Sequence, residues 1–193
     1  MLMSASDPKR TYKAAQEQWV KSLENVELNA HAAWDKGLGK QALKLFQKGA
    51  GAGLVGCMLN LGYFYDVGIG TSSDKTTAMH WYKRAYRRGD AAAASNIAVL
   101  YQEQGRNRLA FGWYARSAAL GDGDSSLELA KMSLAGLGVR RSVQRARRYL
   151  KAALSSACIT QEGLEQAGAL MRELVHRGRS YRSINAKVIR SSS

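Results

Sequence analysis

The sequence predicts an all-α protein, a right-handed α-solenoid of about four helix-turn-helix repeats with capping helices at both ends. Three observations predict this fold class: a short motif recurs along the chain, a second motif follows each copy, and apolar residues in both recur at helical intervals. The 193-residue chain has a single proline, and it is long enough to bury a sizeable core.

The two motifs alternate along the chain. The first occurs at residues 60–65 (NLGYFY), at 96–101 (NIAVLY) and, more weakly, at 128–133 (ELAKMS). The second occurs at residues 78–85 (AMHWYKRA), 110–117 (AFGWYARS) and 146–153 (ARRYLKAA). A partial earlier copy covers residues 29–53. The spacings differ only in the length of the linker between the motifs, so each pair of motifs is predicted to form one repeat.

Each motif is predicted to form one helix. Leu61, Phe64 and Tyr65 lie at helical spacing in the first motif, and residues 78–85 carry apolar side chains at i, i+3, i+4 and i+7 in the second. Asp74 stands where an N-cap belongs, and glycines near the ends suit left-handed caps. Such a helix pair buries its apolar face only by stacking on its neighbours.

Both ends of the chain depart from the repeat pattern, as solenoid caps do. Residues 1–27 are predicted to form an N-terminal capping region, on an apolar stripe that runs from Tyr12 through Ala15, Trp19, Leu23 and Val26 to Ala30 and Ala33. The predicted repeats are residues 28–56, 57–92, 93–124 and 125–157. Residues 158–177 are predicted to form a C-terminal capping helix, and residues 178–193 a basic, flexible tail.

Residues 57–89 resemble one particular repeat unit. They follow the pattern A-x-x-N-L-G-x-x-Y-x-x-G-x-G, then D-x-x-K-A-x-x-W-Y-x-x-A-A-x-x-G, and so the chain is similar to the Sel-1-like repeat family, which is related to tetratricopeptide repeats. The resemblance covers about residues 28–157. Glu128, Ser133 and Ala157 depart from the pattern in the last repeat. The resemblance implies a solenoid whose first helices line a concave groove.

The groove positions that the resemblance implies flank the repeat signature. They are Asn29, Asn60, Tyr63, Asn96, Val99, Glu128 and Lys131. Amide side chains there could hydrogen-bond the backbone of an extended peptide. The alternative is structural, because the same asparagines could cap helices or bridge adjacent repeats.

Charge is the strongest global property of the chain. Lysine and arginine number 29 against 15 acidic residues, which gives a net charge of +14, and most of the excess lies in residues 61–193. Such a positive field favours acidic proteins, nucleic acid or anionic membrane surfaces. The apolar runs are too short for a membrane helix, so no membrane insertion is expected.

The basic residues cluster on the predicted second helices. This basic set comprises Lys83, Arg84, Arg87, Arg88, Arg116, Arg140, Arg141, Arg145, Arg147, Arg148 and Lys151. No acidic residue occurs between Glu128 and Glu162, and arginine suits bidentate contacts to carboxylates or phosphates. Two interpretations remain open, a functional anionic contact and a merely solvated face. Trp34, Trp81, Trp113 and Tyr149 recur at core positions, which favours packing over base stacking.

No pattern in the sequence predicts an enzyme, a cofactor or a metal site. Residues 51–56 spell G-x-G-x-x-G, but a helical pattern precedes them where a dinucleotide fold needs a strand. His31, His80 and His176 are far apart and lack metal-ligand spacing. Cys57 occupies a small core position of the repeat, which argues against a nucleophile.

The expected function is a non-catalytic protein–protein interaction module that binds an acidic protein partner. By resemblance to bacterial repeat proteins, it would serve as an adaptor, a regulator or a toxin-neutralising immunity-type protein. The alternative is a nucleic-acid-binding protein that uses its arginine-rich face. No small-molecule substrate is expected. Cys57 and Cys158 suggest buried thiols in a reducing compartment, and the first eight residues lack a secretory signal, so a cytoplasmic location is expected.

Overall fold

The computed structural model describes Lys13 and residues 25–190, with side chains described for Lys13 and for residues 25–176. In this part of the chain every regular element is an α-helix. Helix α1 covers residues 25–35. The later helices are α2 (Gly39–Gly51), α3 (Val55–Val67), α4 (Lys75–Tyr86), α5 (Ala91–Glu103), α6 (Asn107–Ala119), α7 (Gly123–Ala135), α8 (Val143–Ser155) and α9 (Gln161–Arg190). The two predicted helices of each repeat are therefore present.

The described helices form two compact units, the first ending at Arg88 and the second beginning at Gly89. In the first unit, helix α3 packs against both α2 and α4. The rings of Phe46 and Phe64 meet edge to face at 5.0 Å, and the ring of Trp34 lies 5.2 Å from that of Phe64. This aromatic cluster joins α1, α2 and α3 around one core.

The second unit repeats the same hairpin packing. Helix α5 packs on α6, α6 on α7, and α7 on α8, while α9 packs against α8 and α7. One buried cluster comprises Ala98, Ala110, Tyr114, Leu129 and Met132. A second comprises Leu127, Ala130, Ala146, Leu150, Ala153 and Ala167. Alanine supplies four of the six residues of the second cluster, whereas three large side chains fill most of the first.

Glycine at position 62 sets the distance between α3 and α4. A Cβ atom added there would lie 2.5 Å from Cδ1 of Tyr82, whose side chain is fully buried. No real side chain tolerates that contact without a shift of the tyrosine ring or of a helix. The glycine of the first repeat motif therefore acts as a spacer between the two helices of a repeat.

The helix ends follow the predicted capping chemistry. The carboxylate of Asp74 accepts hydrogen bonds from the backbone N–H groups of Thr76 and Thr77, both at 3.0 Å, which confirms Asp74 as the N-cap of α4. Gly68 and Gly136 end α3 and α7 in the left-handed conformation, with φ of 88° and 76°. These equivalent glycines turn the chain toward the second helix in their two repeats.

Hydrogen bonds fix the start of α9 on the last repeat. Asp124 of α7 accepts from the Thr160 backbone N–H at 2.9 Å and from the Thr160 hydroxyl at 2.8 Å. The same hydroxyl oxygen accepts from the Gly163 backbone N–H at 3.0 Å. Thr160 therefore caps α9 while it is bound to α7, and this holds the final helix against the repeats.

The structure differs from two expectations, the end of the last helix and the burial of Cys158, and agrees with part of a third, the N-terminal apolar stripe. Helix α9 runs to Arg190, past the end predicted at residue 177, and the flexibility of 178–193 stays a prediction. The expectation that both thiols are buried was wrong for Cys158, which is exposed because it lies in the turn between α8 and α9 rather than on a helix. Val26, Ala30 and Ala33 are buried as expected, whereas Tyr12, Ala15, Trp19 and Leu23 lie outside the described residues.

Candidate functional site

In the first unit, the predicted groove residues occupy helices α1 and α3. Asn60 is half-buried, and its amide Nδ2 lies 3.3 Å from Nε2 of His31 on α1. Tyr63 is 39% exposed, with its ring 5.7 Å from that of Trp34, and Asn29 is exposed. The Asn60 amide thus connects two helices, which is the bridging role that the sequence left open.

In the second unit, the remaining groove residues occupy α5 and α7. Asn96 is half-buried and Val99 is 39% exposed on α5. On α7, Lys131 Nζ donates to Glu128 Oε1 at 2.7 Å, so the two opposite charges at this surface compensate each other. A surface ion pair of this kind contributes about 0–1 kcal/mol to stability.

The first unit carries four residues of the predicted basic set, in α4 and in the turn after it. The guanidinium of Arg84 stacks on Trp81, with Cζ 4.6 Å from the ring centroid. Arg88 is exposed and its Nη1 lies 3.5 Å from the sulfur of Met58. Lys83 is half-buried and Arg87 is exposed. Trp81 itself is half-buried, so it forms an aromatic platform for an arginine rather than an interior core residue.

Two arginines of the second unit have intramolecular roles. Arg116 stacks on Trp113 at 4.8 Å and donates to the Gly112 carbonyl at 2.9 Å. Arg147 Nη2 donates to the carbonyl of Leu174 on α9 at 2.7 Å. Arg147 therefore connects α8 to the final helix, and this contact accounts for the inward direction of its side chain.

The other five basic residues of the second unit lie on α8 and on the loop before it. They are Arg140, Arg141, Arg145, Arg148 and Lys151. Arg145 is half-buried, and the rest are exposed. Across the described side chains, none of these five forms an ion pair with a carboxylate. We call these five residues the α8 basic face, although Arg141 lines a separate pocket with Arg147 and with Glu173 of α9.

A shallow pocket of about 340 Å³ opens on the α8 basic face. Arg145, Arg148, Tyr149 and Ala152 line it. The sequence grouped Tyr149 with the core and did not single out Ala152. The sequence did contain a signal for both residues: Tyr149 and Ala152 follow Arg145 at i+4 and i+7, and residues with that spacing share one side of a helix.

Cys57 and His31 both lie in packed surroundings within the first unit. Burial and the nearby Glu27 carboxylate raise the pKa of the Cys57 thiol to about 12, so the nucleophilic thiolate is scarce near neutral pH. His31 packs edge-on against Phe46 at 5.2 Å. Among the residues that the structure describes, no cluster of potential metal ligands occurs.

The G-x-G-x-x-G segment has a structural role. Gly51 is the last residue of α2, Gly53 lies in the turn, and α3 begins at Val55. The segment therefore connects two helices rather than a strand and a helix, in agreement with the sequence argument against a dinucleotide site.

Over the described ranges, no helix is both long enough and apolar enough to cross a membrane.

Comparison with known proteins gives a consistent result. The family model for the Sel1 repeat matches residues 39–54, 55–90, 91–122 and 124–157. A Sel1 repeat protein from Oxalobacter formigenes superposes with a TM-score of 0.68 and 26% identity over 81% of this chain and 65% of its own. A protective antigen of uropathogenic Escherichia coli with an SLR fold superposes with a TM-score of 0.60 and 26% sequence identity, over 71% of this chain and 29% of its own.

The chain therefore spans 65% and 29% of the lengths of these two proteins. The structure of MamA, with 20% identity and a TM-score of 0.51, shares the fold alone. No curated protein sequence matches the chain significantly. The helical hairpins and these superpositions confirm the predicted fold class, an all-α solenoid.

Proposed function

Because this chain belongs to the Sel1 repeat family, we propose that it is a non-catalytic scaffold that binds an acidic protein partner. Sel1 repeats generally mediate protein–protein interaction, and the family typically acts as an interaction scaffold without catalysis. Within that role, the chain serves as an adaptor, a regulator or an immunity-type inhibitor, in the cytoplasm. It requires no small-molecule substrate.

The α8 basic face is the observation that carries the proposal. Its five side chains have no carboxylate partner in the described structure, and the chain as a whole has a net charge of +14. Charges that the fold does not compensate attract an oppositely charged surface and accelerate association with it. The predicted groove residues give weaker support, since Asn60 and the Glu128–Lys131 pair make contacts within the chain.

Affinity capture tests this proposal directly. The tagged full chain is incubated with native lysate at low and at near-physiological ionic strength (about 0.15 M), with and without nuclease. We expect a stoichiometric acidic protein that withstands nuclease and is retained better at low ionic strength. An immunity-type role predicts a single partner at about nanomolar affinity or tighter, and an adaptor role predicts several weaker partners.

Nucleic-acid binding is the competing outcome of the same experiment. Arginines also suit phosphates, and binding to polynucleotide falls steeply with salt whatever its sequence. If nuclease removes everything that is captured, or if polynucleotide alone is recovered, the protein-scaffold proposal is wrong.

A further inference from the structure

The pocket on helix α8 has the composition of a recognition site for oxyanions. Arg145, Arg148, Tyr149 and Ala152 are spaced so that they share one side of the helix. The ring of Tyr149 meets that of Phe111 on α6 edge to face at 6.1 Å, which holds the aromatic wall of the pocket in place. Two guanidinium groups therefore stand beside a fixed aromatic surface.

The two pocket arginines have donors available for a ligand. Arg145 Nη1 donates to the Arg140 carbonyl at 3.3 Å, which holds the guanidinium near the loop and leaves its other N–H groups without a partner in the described structure. The side chain of Arg148 is exposed and forms no hydrogen bond or ion pair with the described residues. The neighbouring Arg147, by contrast, is occupied by the Leu174 carbonyl.

The position of Arg145 near the start of α8 is a second, independent observation in favour of a ligand-binding role. Ser142 is the N-cap of α8 and its hydroxyl oxygen accepts from the Arg145 backbone N–H at 3.2 Å, so Arg145 occupies the third helical position. Glutamate is favoured there, because it completes a capping box and complements the positive end of the helix dipole. The first turn of α8 has no acidic residue. Helix stability therefore does not explain the arginine.

We propose that this pocket is the place where an acidic segment of the partner protein docks, with Arg145 and Arg148 each binding one carboxylate. The inference deepens the proposed function and rests on it. The inference places the partner contact on the α8 basic face. It assigns Arg116 and Arg147 to structural roles instead of partner contact.

The spacing of the arginines favours an extended acidic segment. Side chains on adjacent helical turns lie about 5–6 Å apart at their Cβ atoms. Alternate side chains of an extended peptide point to one side at intervals of about 7 Å. Carboxylates two residues apart can therefore reach Arg145 and Arg148 together. Each would form a bidentate pair, with the peptide chain lying over Tyr149 and Ala152.

The test measures binding of a labelled hexaglutamate peptide to the full chain by fluorescence anisotropy. We expect the wild-type chain to bind, and the R145E/R148E variant to bind at least about tenfold more weakly, because two attractive contacts become repulsive. Inorganic phosphate at matched ionic strength should compete no better than chloride.

R108E is the matched control. Arg108 is an exposed arginine in the first turn of α6 in the same unit, and it lies outside the pocket. Its reversal changes the net charge as much as R148E does, so we expect a loss below about threefold from screened long-range attraction alone. Equal losses in R148E and R108E would overturn the proposal, as would a wild-type chain that does not bind the peptide.

The variant R145E separates recognition from folding. It creates a capping box with Ser142, so we expect Tm to rise by about 1–4 °C while peptide binding weakens. A lower Tm would make Arg145 a structural residue and would contradict the proposal. Displacement of the peptide by stoichiometric phosphate would also contradict it, by identifying a phosphate site.

Capture from lysate distinguishes the two proposals. If R145E/R148E captures an acidic protein as well as R108E does, the scaffold function stands and the pocket assignment is wrong. If the wild-type chain captures no acidic protein, the proposed function itself is wrong.

Discussion

Arg147 and Arg148 are neighbours in the sequence, but their side chains have different roles. Successive residues of an α-helix point in directions about 100° apart. Arg147 donates to the Leu174 carbonyl of α9, whereas Arg148 lines an exposed pocket on a different side of α8. The sequence placed both in a single basic set, because charge and spacing alone do not show which neighbour a helix face meets.

Gly62 gives the sharpest prediction for a single residue. We expect Gly62→Ala to lower the free energy of unfolding by about 1–3 kcal/mol, because the new methyl group would collide with the buried ring of Tyr82. Urea denaturation followed by circular dichroism measures the change.

Gly51 offers a matched control for that substitution. It is also a helical glycine, at the end of α2, but a Cβ atom added there meets nothing within 4 Å. Gly51→Ala should therefore leave stability unchanged or raise it by up to about 1 kcal/mol, through helix propensity. Equal effects at both positions would show that Gly62 is not a spacer.

Among the elements, α4 shows how one cap couples stability to pH. Hydrogen bonds from the side chain and then the backbone of Thr77 lower the pKa of Asp74, with a further contribution from the backbone of Thr76, and together they outweigh the opposing effect of desolvation. A carboxylate whose pKa is depressed on folding stabilises the folded state above its unfolded pKa of about 3.9. That contribution is lost as the pH falls through the folded pKa.

The corresponding prediction compares the wild-type chain with Asp74→Asn. Asparagine also caps a helix but does not titrate in this range. We therefore expect the stability difference between the two chains to shrink on acidification from about pH 5 to about pH 2. Chemical denaturation at several pH values measures it. A difference that is constant with pH would contradict the assigned hydrogen bonds.

For the whole molecule, the net charge of +14 affects association rates more than it affects the fold. With the captured acidic partner, we expect the association rate constant to fall as ionic strength rises, with a smaller change in the dissociation rate. Surface plasmon resonance measures both rates.

Two variants distinguish long-range electrostatic attraction, which affects the association rate, from direct contact with the partner, which affects the dissociation rate. Lys48 is exposed on α2 in the first unit, so K48E should slow association slightly and leave dissociation unchanged. R148E should accelerate dissociation, because it removes a direct contact. If both variants act on association alone, the pocket makes no contact with the partner.

The repeat architecture was predictable from the sequence because it depends on local periodicity. The apolar spacing within residues 78–85 predicted helix α4, and Asp74 at an N-cap position predicted where that helix begins. The structure confirms both predictions. The candidate site was less predictable. The sequence identified the basic residues of α8 but missed Tyr149 and Ala152 as pocket walls, and it placed Cys158 among buried residues.

The sequence by itself determined the helices, their caps, the family and the excess of positive charge, since each of these follows from residue type at a given spacing. Only the tertiary structure decided which side chains remain available to a partner. Asn60 meets His31 of α1, and Arg147 meets a backbone carbonyl of α9. Each of these contacts joins two helices through residues well separated in the sequence, and no local pattern of residues specifies them.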